Sequence, residues 1–105
     1  MVLETEAAAF VSVHLSWWKA AEENPFLREW TSVEAAVKKL CGTKPIYVMG
    51  DVNNPADVRN EGYDLITNAG WQDAYAVAAT RIGSATVPPA IDGWKGNEAP
   101  LRIDY

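Results

Sequence analysis

The sequence predicts an α/β domain. In it, a βαβ unit belongs to a mixed sheet flanked by helices, and the C-terminal third is rich in loops. Two observations indicate a single globular domain. The 105 residues suit one domain, and 49% hydrophobic with 22% charged residues is a globular composition. A third observation, the order of the sequence patterns, gives the α/β class, because strand, helix and strand in succession imply a parallel strand pair.

The first predicted strand spans residues 10–15, FVSVHL. Its odd-numbered residues are aliphatic and share one face, while His14, the only histidine of the chain, lies on the other. This alternation is typical of a half-buried strand. The acidic, tryptophan-containing stretch that follows, residues 16–23, is predicted to be a loop.

A helix is predicted to begin at Asn24, which can cap it, with Pro25 at the first helical position. Apolar residues recur at alternating intervals of four and three residues, which places five of them on one face of the helix: Phe26, Trp30, Val33, Val37 and Leu40. Gly42 is the expected C-cap. A capping-box pattern that starts at Thr31 indicates a break in the helix near that residue.

Residues 45–49, PIYVM, are apolar without alternation, which predicts a strand covered on both faces. A second helix is predicted over residues 60–68, ended by Gly70. Its inward-facing residues are expected to be Leu65, Ile66 and Ala69.

The last third of the sequence has weaker patterns. Prolines and glycines between residues 71 and 100 favour extended, loop-rich structure. Residues 101–105, LRIDY, predict a final strand.

Charge and cysteine content narrow the functional classes. The net charge is −5, the pI is near 4.7 and no basic run exceeds two lysines, so nucleic acid is not an expected partner. No apolar run approaches the ~20 residues of a membrane span, and the acidic start does not resemble a signal peptide. The single cysteine, Cys41, excludes an internal disulfide and is compatible with a reducing cytoplasm, which is the expected location.

Polar residues at the ends of the two strands are the first site candidates. Asp51 and Asn53 follow the second strand, at the carboxyl end where α/β sheets bind ligands. Asp51 could take a proton from an attacking water and Asn53 could hold a phosphate oxygen, although the same residues are also ordinary turn formers. His14 ends the first strand and would emerge beside Asp51 from a parallel pair; a hydrogen-bonded structural histidine is the alternative.

Asp104 is placed between apolar residues of the predicted final strand. A carboxylate in such a strand needs a partner. Arg102 or a backbone amide would make Asp104 structural, whereas a histidine would make it an orienting aspartate of a catalytic site.

Five tryptophans are many for a chain of this length. The helical spacing assigns Trp30 to the core. Trp17, Trp18 and Trp94 lie in predicted loops, where they could stack on sugar rings or close the edge of a core.

Three short segments follow one another along the chain: SVHL at 12–15, GDVN at 50–53 and RIDY at 102–105. Together they resemble the endonuclease/exonuclease/phosphatase superfamily over residues 10–105, with Val52 where that family usually has Phe. Further segments resemble a bacterial branch of sugar-phosphate phosphatases: WW at 17–18, NNPA at 53–56, EGY at 61–63, WQDAY at 71–75, TVP at 86–88 and IDGW at 91–94.

The resemblance implies hydrolysis of a phosphomonoester, such as a sugar phosphate, with Mg²⁺ or Mn²⁺. Asp51 would orient or deprotonate the water, and Asn53 would hydrogen-bond the scissile phosphate. His14 would contact that phosphate or stabilise the transition state. Asp104 would orient the family's catalytic histidine. Substrate-binding candidates are Trp17, Trp18, Asp92 and Trp94.

The family's metal-binding Glu and its Ser-Asp-His segment have no match in this sequence. The resemblance therefore implies the second half of such a domain, a partial α/β sandwich that is weak or inactive alone. Such a half-domain would expose an apolar sheet face and associate with a second copy or a missing half. Two alternatives remain: a non-catalytic module that binds a sugar or sugar phosphate, and a structural or complementing subunit.

Overall fold

The computed structural model describes residues 1–40, 42–91 and 98–105. Its elements, in order, are β1 (Val2–Glu4), β2 (Ala9–His14), α1 (Pro25–Lys38), β3 (Ile46–Asp51), α2 (Gly62–Asn68) and α3 (Ala74–Val77). This is a mixed α/β fold, as predicted. The chain divides into two compact units, Met1–Asn53 and Asn54–Tyr105. Among these elements, no helix is long and apolar enough to cross a membrane.

The first unit contains a three-stranded mixed sheet in the order β1-β2-β3. β2 and β3 are parallel, from Ala9 opposite Ile46 to His14 opposite Asp51, which confirms the predicted parallel pair. β1 runs antiparallel to β2 and was not predicted, because three residues are too few to show a period.

The alternation predicted for the first strand is confirmed, with the strand beginning and ending one residue earlier than expected. Val11 is 3% exposed, whereas Ser12 and His14 are exposed. Leu15, just past the end of β2, is buried. One face of β2 therefore belongs to the core and the other carries its polar residues.

The start of α1 is as predicted. The Asn24 side chain accepts a hydrogen bond from the Phe26 N–H at 3.2 Å, and Pro25 is the first helical residue. Phe26 and Trp30 are the two buried residues of the helix, as the apolar spacing indicates.

Two expectations about α1 were wrong. The helix does not break near Thr31, because the Thr31 hydroxyl donates to the Leu27 carbonyl at 2.8 Å instead of capping a new helix. It ends at Lys38, and Lys39 is the C-cap, with its N–H bonded to carbonyls of the last turn. Gly42 therefore lies beyond the cap.

The prediction that the second strand is covered on both faces was also wrong. Tyr47 and Met49 of β3 are 50% and 42% exposed, while their neighbours in the strand are half-buried. An uninterrupted apolar run thus forms a strand with only one face in the core.

In the second unit, α2 begins two residues later than predicted, with the Gly62 N–H bonded to the Asn54 side chain at 3.2 Å. Gly70, at φ +100°, follows the helix as expected. Leu65 and Ile66 are half-buried, but Ala69 is exposed, contrary to the prediction. The short helix α3 was not predicted, since four residues make barely one turn.

Within the described residues, the predicted final strand forms isolated bridges and no continuous ladder. Leu101 makes an isolated antiparallel bridge with Val87, with both hydrogen bonds at 2.9 Å. The backbone N–H groups of Ile103 and Asp104 donate to the Thr86 hydroxyl at 3.1 and 3.3 Å. A side-chain acceptor thus replaces the backbone carbonyl that a neighbouring strand would supply.

Candidate functional site

The carboxyl ends of β2 and β3 bring His14 and Asp51 together, as predicted from the strand order. The two residues are opposite each other in the register, and Nε2 of His14 lies 3.7 Å from Oδ2 of Asp51. The His14 side chain is 79% exposed and that of Asp51 is 32% exposed. A carboxylate and an imidazole therefore face solvent side by side at this edge of the sheet.

The turn after β3 is held by side chains of the candidate site itself. Oδ1 of Asp51 accepts the Asn53 N–H at 2.9 Å, and Asn53 has a positive φ of 53°. The buried Asn53 amide donates to the Leu15 carbonyl at 2.8 Å, and the Leu15 N–H donates to the Asp51 carbonyl at 2.8 Å. Asn53 thus ties the ends of β2 and β3 together, and its amide nitrogen carries a second hydrogen that the bond to Leu15 does not use.

Glu29 of α1 holds the loop that follows β2, a role that sequence reasoning missed. Its carboxylate accepts hydrogen bonds from the Ser16 N–H at 2.6 Å and from the Ser16 hydroxyl at 2.8 Å. No local pattern signals this contact, because the partners are 13 residues apart. The contact anchors the chain immediately after His14.

Replacing Glu29 with Gln is expected to raise hydrogen exchange of the Ser16 amide about tenfold while α1 stays folded. The amide group of glutamine cannot accept both bonds, and a charge-assisted hydrogen bond is worth about 1.5–3 kcal/mol. Residue-resolved hydrogen exchange measures the effect. Glu34→Gln on the same helix is the control, and equal Ser16 exchange in the two variants would contradict the anchoring role.

Of the tryptophans proposed to bind substrate, Trp18 closes the edge of the core, with its ring 5.8 Å from that of Phe26. Trp17 is 39% exposed. Trp30 is 3% exposed, as predicted for a core residue. The other two candidates, Asp92 and Trp94, lie outside the described residues.

Asp104 is an exposed residue. Arg102, its suggested partner, instead binds Asp73 with two hydrogen bonds of 3.2 and 2.5 Å. The Arg102 guanidinium also lies 4.6 Å from the Tyr75 ring and 4.5 Å from the Tyr105 ring. Sequence reasoning missed this cluster, because its partners are 29 residues apart.

The Asp73–Arg102 pair is structural. Burial alone raises the pKa of Asp73, but hydrogen bonds from Arg102 and from the Tyr63 hydroxyl (2.8 Å) hold the pKa below its ordinary value. Burial likewise raises the pKa of Tyr105. Groups that transfer protons at neutral pH need a pKa near that pH, and these shifts move both groups away from it.

The Asp51 carboxylate is the predicted site residue at the β2–β3 edge that could bind a divalent cation. Across residues 1–40, 42–91 and 98–105, no three His, Cys, Asp or Glu side chains cluster as metal ligands. Mg²⁺ and Mn²⁺ prefer several oxygen ligands. The described residues therefore do not fit a metal centre by themselves.

Comparison with known proteins finds no family model, no curated protein and no solved structure that matches this chain.

Proposed function

We propose that this chain supplies the water-activating and phosphate-contacting side chains of a phosphoesterase for small phosphomonoesters such as sugar phosphates. The observation that carries the proposal is the exposed His14–Asp51 pair, 3.7 Å apart at the carboxyl ends of adjacent parallel strands. We also propose that the finer architecture is a partial α/β sandwich with a loop-rich C-terminal third. The proposed location is the cytoplasm.

The chemistry assigned to the pair is direct attack of water on phosphorus. The water oxygen forms the new P–O bond and its proton passes to Oδ2 of Asp51. The bond between phosphorus and the ester oxygen breaks, and the departing alkoxide takes a proton from solvent to leave as the alcohol. An imidazole N–H of His14 and the second amide hydrogen of Asn53 donate to the phosphoryl oxygens. Charge accumulates on those oxygens in the transition state, so such donors lower the barrier.

The resemblance to metal-dependent phosphatases implies Mg²⁺ or Mn²⁺, which would neutralise the phosphate. Because the described residues bring no three His, Cys, Asp or Glu side chains together, further metal ligands would come from a second chain or from residues outside the described ones. The steps above therefore use side chains alone, and we expect slow hydrolysis from the chain by itself.

Asp51→Asn is expected to reduce phosphate release from a panel of sugar phosphates about 100-fold or more, down to background, because the amide cannot accept the proton. Release is measured with Mg²⁺, with Mn²⁺ and with neither. Asp57→Asn, an exposed carboxylate of the second unit, is the matched control and should retain wild-type release. Equal release from all three proteins would assign the activity to a contaminant and contradict the proposal.

A second candidate, non-catalytic binding of a sugar or sugar phosphate, is favoured by the exposed ring of Trp17. Saturable quenching of tryptophan fluorescence without phosphate release would support it over hydrolysis. Loss of that quenching in Trp17→Ala would assign the binding to this ring.

A further inference from the structure

The outer edge of β3 is open within the described part of the chain. β3 is the last strand of the sheet, and the carbonyls of Pro45 and Asp51 accept N–H groups from the β2 side. Successive residues of a strand direct their backbone groups to opposite edges, so residues 46, 48 and 50 direct theirs away from β2. No backbone hydrogen bond joins these groups to another described segment.

Between Pro45 and Asp51, the residues of this edge lack the usual protection against strand pairing. Residues 46–50, IYVMG, contain no charge and no proline, the features with which proteins commonly block an exposed edge. The apolar side chains of Tyr47 and Met49 are exposed, and the Tyr47 ring stacks on Phe10 at 5.5 Å. Leu3, opposite Phe10 in the register, is 61% exposed and extends the apolar face.

We propose that β3 pairs antiparallel with β3 of a second copy of this chain, about a two-fold axis at Val48. The strand is self-complementary in this register. Tyr47 of each copy lies opposite Met49 of the other, on the exposed face, and sulfur–aromatic contacts of this kind are favourable. Val48 pairs with itself, and its outward N–H and C=O exchange two hydrogen bonds across the axis.

The charges at the two ends of the strand favour the same arrangement. Lys44 precedes β3 and Asp51 ends it. Antiparallel pairing brings the Lys44 end of one copy to the Asp51 end of the other, whereas parallel pairing would set like charges side by side. Lys44 also forms an ion pair with Glu4 at 2.7 Å, so its attraction to Asp51 of the second copy is modest. Its main effect is to favour antiparallel over parallel pairing of the two strands.

Sedimentation equilibrium of the full chain at several concentrations tests the pairing. We expect a monomer–dimer equilibrium in the wild type. The double variant Tyr47→Lys/Met49→Lys sets like charges opposite each other and should raise the dimer dissociation constant about 10- to 100-fold. Tyr47→Lys/Met49→Glu sets opposite charges across both positions and should restore the dimer.

The control is Val77→Lys, at a 64% exposed residue of the second unit, which should leave the equilibrium unchanged. Circular dichroism verifies that each variant is folded, which is expected because both substituted side chains are exposed. A monomeric wild type, a dimer that survives the lysine pair, or a lysine–glutamate variant that stays monomeric would each overturn the proposal. The outcome does not depend on whether the chain hydrolyses phosphate.

Discussion

Replacing Arg102 with Met is expected to lower the free energy of unfolding of the second unit by about 3–5 kcal/mol. The side chains of Arg102 and Asp73 are 13% and 5% exposed, so the substitution leaves a buried carboxylate without its cation. It also removes the guanidinium from its position 4.6 and 4.5 Å from the Tyr75 and Tyr105 rings. Methionine keeps much of the volume, which limits the effect of a cavity.

Urea unfolding followed by resolved NMR signals of α2 and α3 measures this loss for the second unit alone. Arg59→Met is the matched control. Arg59 pairs with Asp64 at 2.8 Å, but its side chain is 58% exposed, so its loss should cost less than about 1 kcal/mol. Equal losses in the two variants would show that burial of the Asp73–Arg102 pair does not determine its contribution.

The pH dependence tests the cause of the Arg102 effect. In the folded wild type the pKa of Asp73 lies below its ordinary value, so the unfolded chain binds the proton more readily. The stabilisation is therefore fully present above pH about 4 and is lost as the pH falls through the folded value. In Arg102→Met, burial raises the pKa of Asp73, and this acid-induced loss should disappear or reverse.

Gly50→Ala is expected to cost the first unit about 4 kcal/mol. Gly50 has φ +133°, which side-chain-bearing residues rarely adopt, and an added Cβ would lie 2.1 Å from the Val13 carbonyl oxygen. That oxygen belongs to the backbone of β2 and cannot rotate aside. The two strands would have to separate next to the His14–Asp51 pair.

Gly42→Ala is the control for the conformational part of this loss. Its φ is +109°, but no heavy atom lies within 4 Å of the added Cβ, so only about 1–2 kcal/mol is expected. Urea unfolding followed by NMR signals of β2 and β3 compares the two variants. Similar losses would contradict the importance of close backbone contact between the strands.

Short-range features of this fold were predictable from the sequence. Asn24 and Pro25 determine the start of α1, because a cap depends on residues within one turn. The alternation along β2 assigns its buried face, because side chains of a strand point to opposite sides in turn. With two parallel strands, both carboxyl ends lie at one edge, and this places His14 beside Asp51.

Exposure and long-range partners were decided only by the tertiary structure. The uninterrupted apolar sequence of β3 does not predict that one of its faces is exposed, because exposure depends on which other segments pack against that face. Arg102 has carboxylates nearer in sequence than Asp73, yet it binds Asp73, and Glu29 anchors Ser16 from another element. Such pairs form where folding brings distant segments together, and a single sequence shows which side chains can pair but not which of them meet.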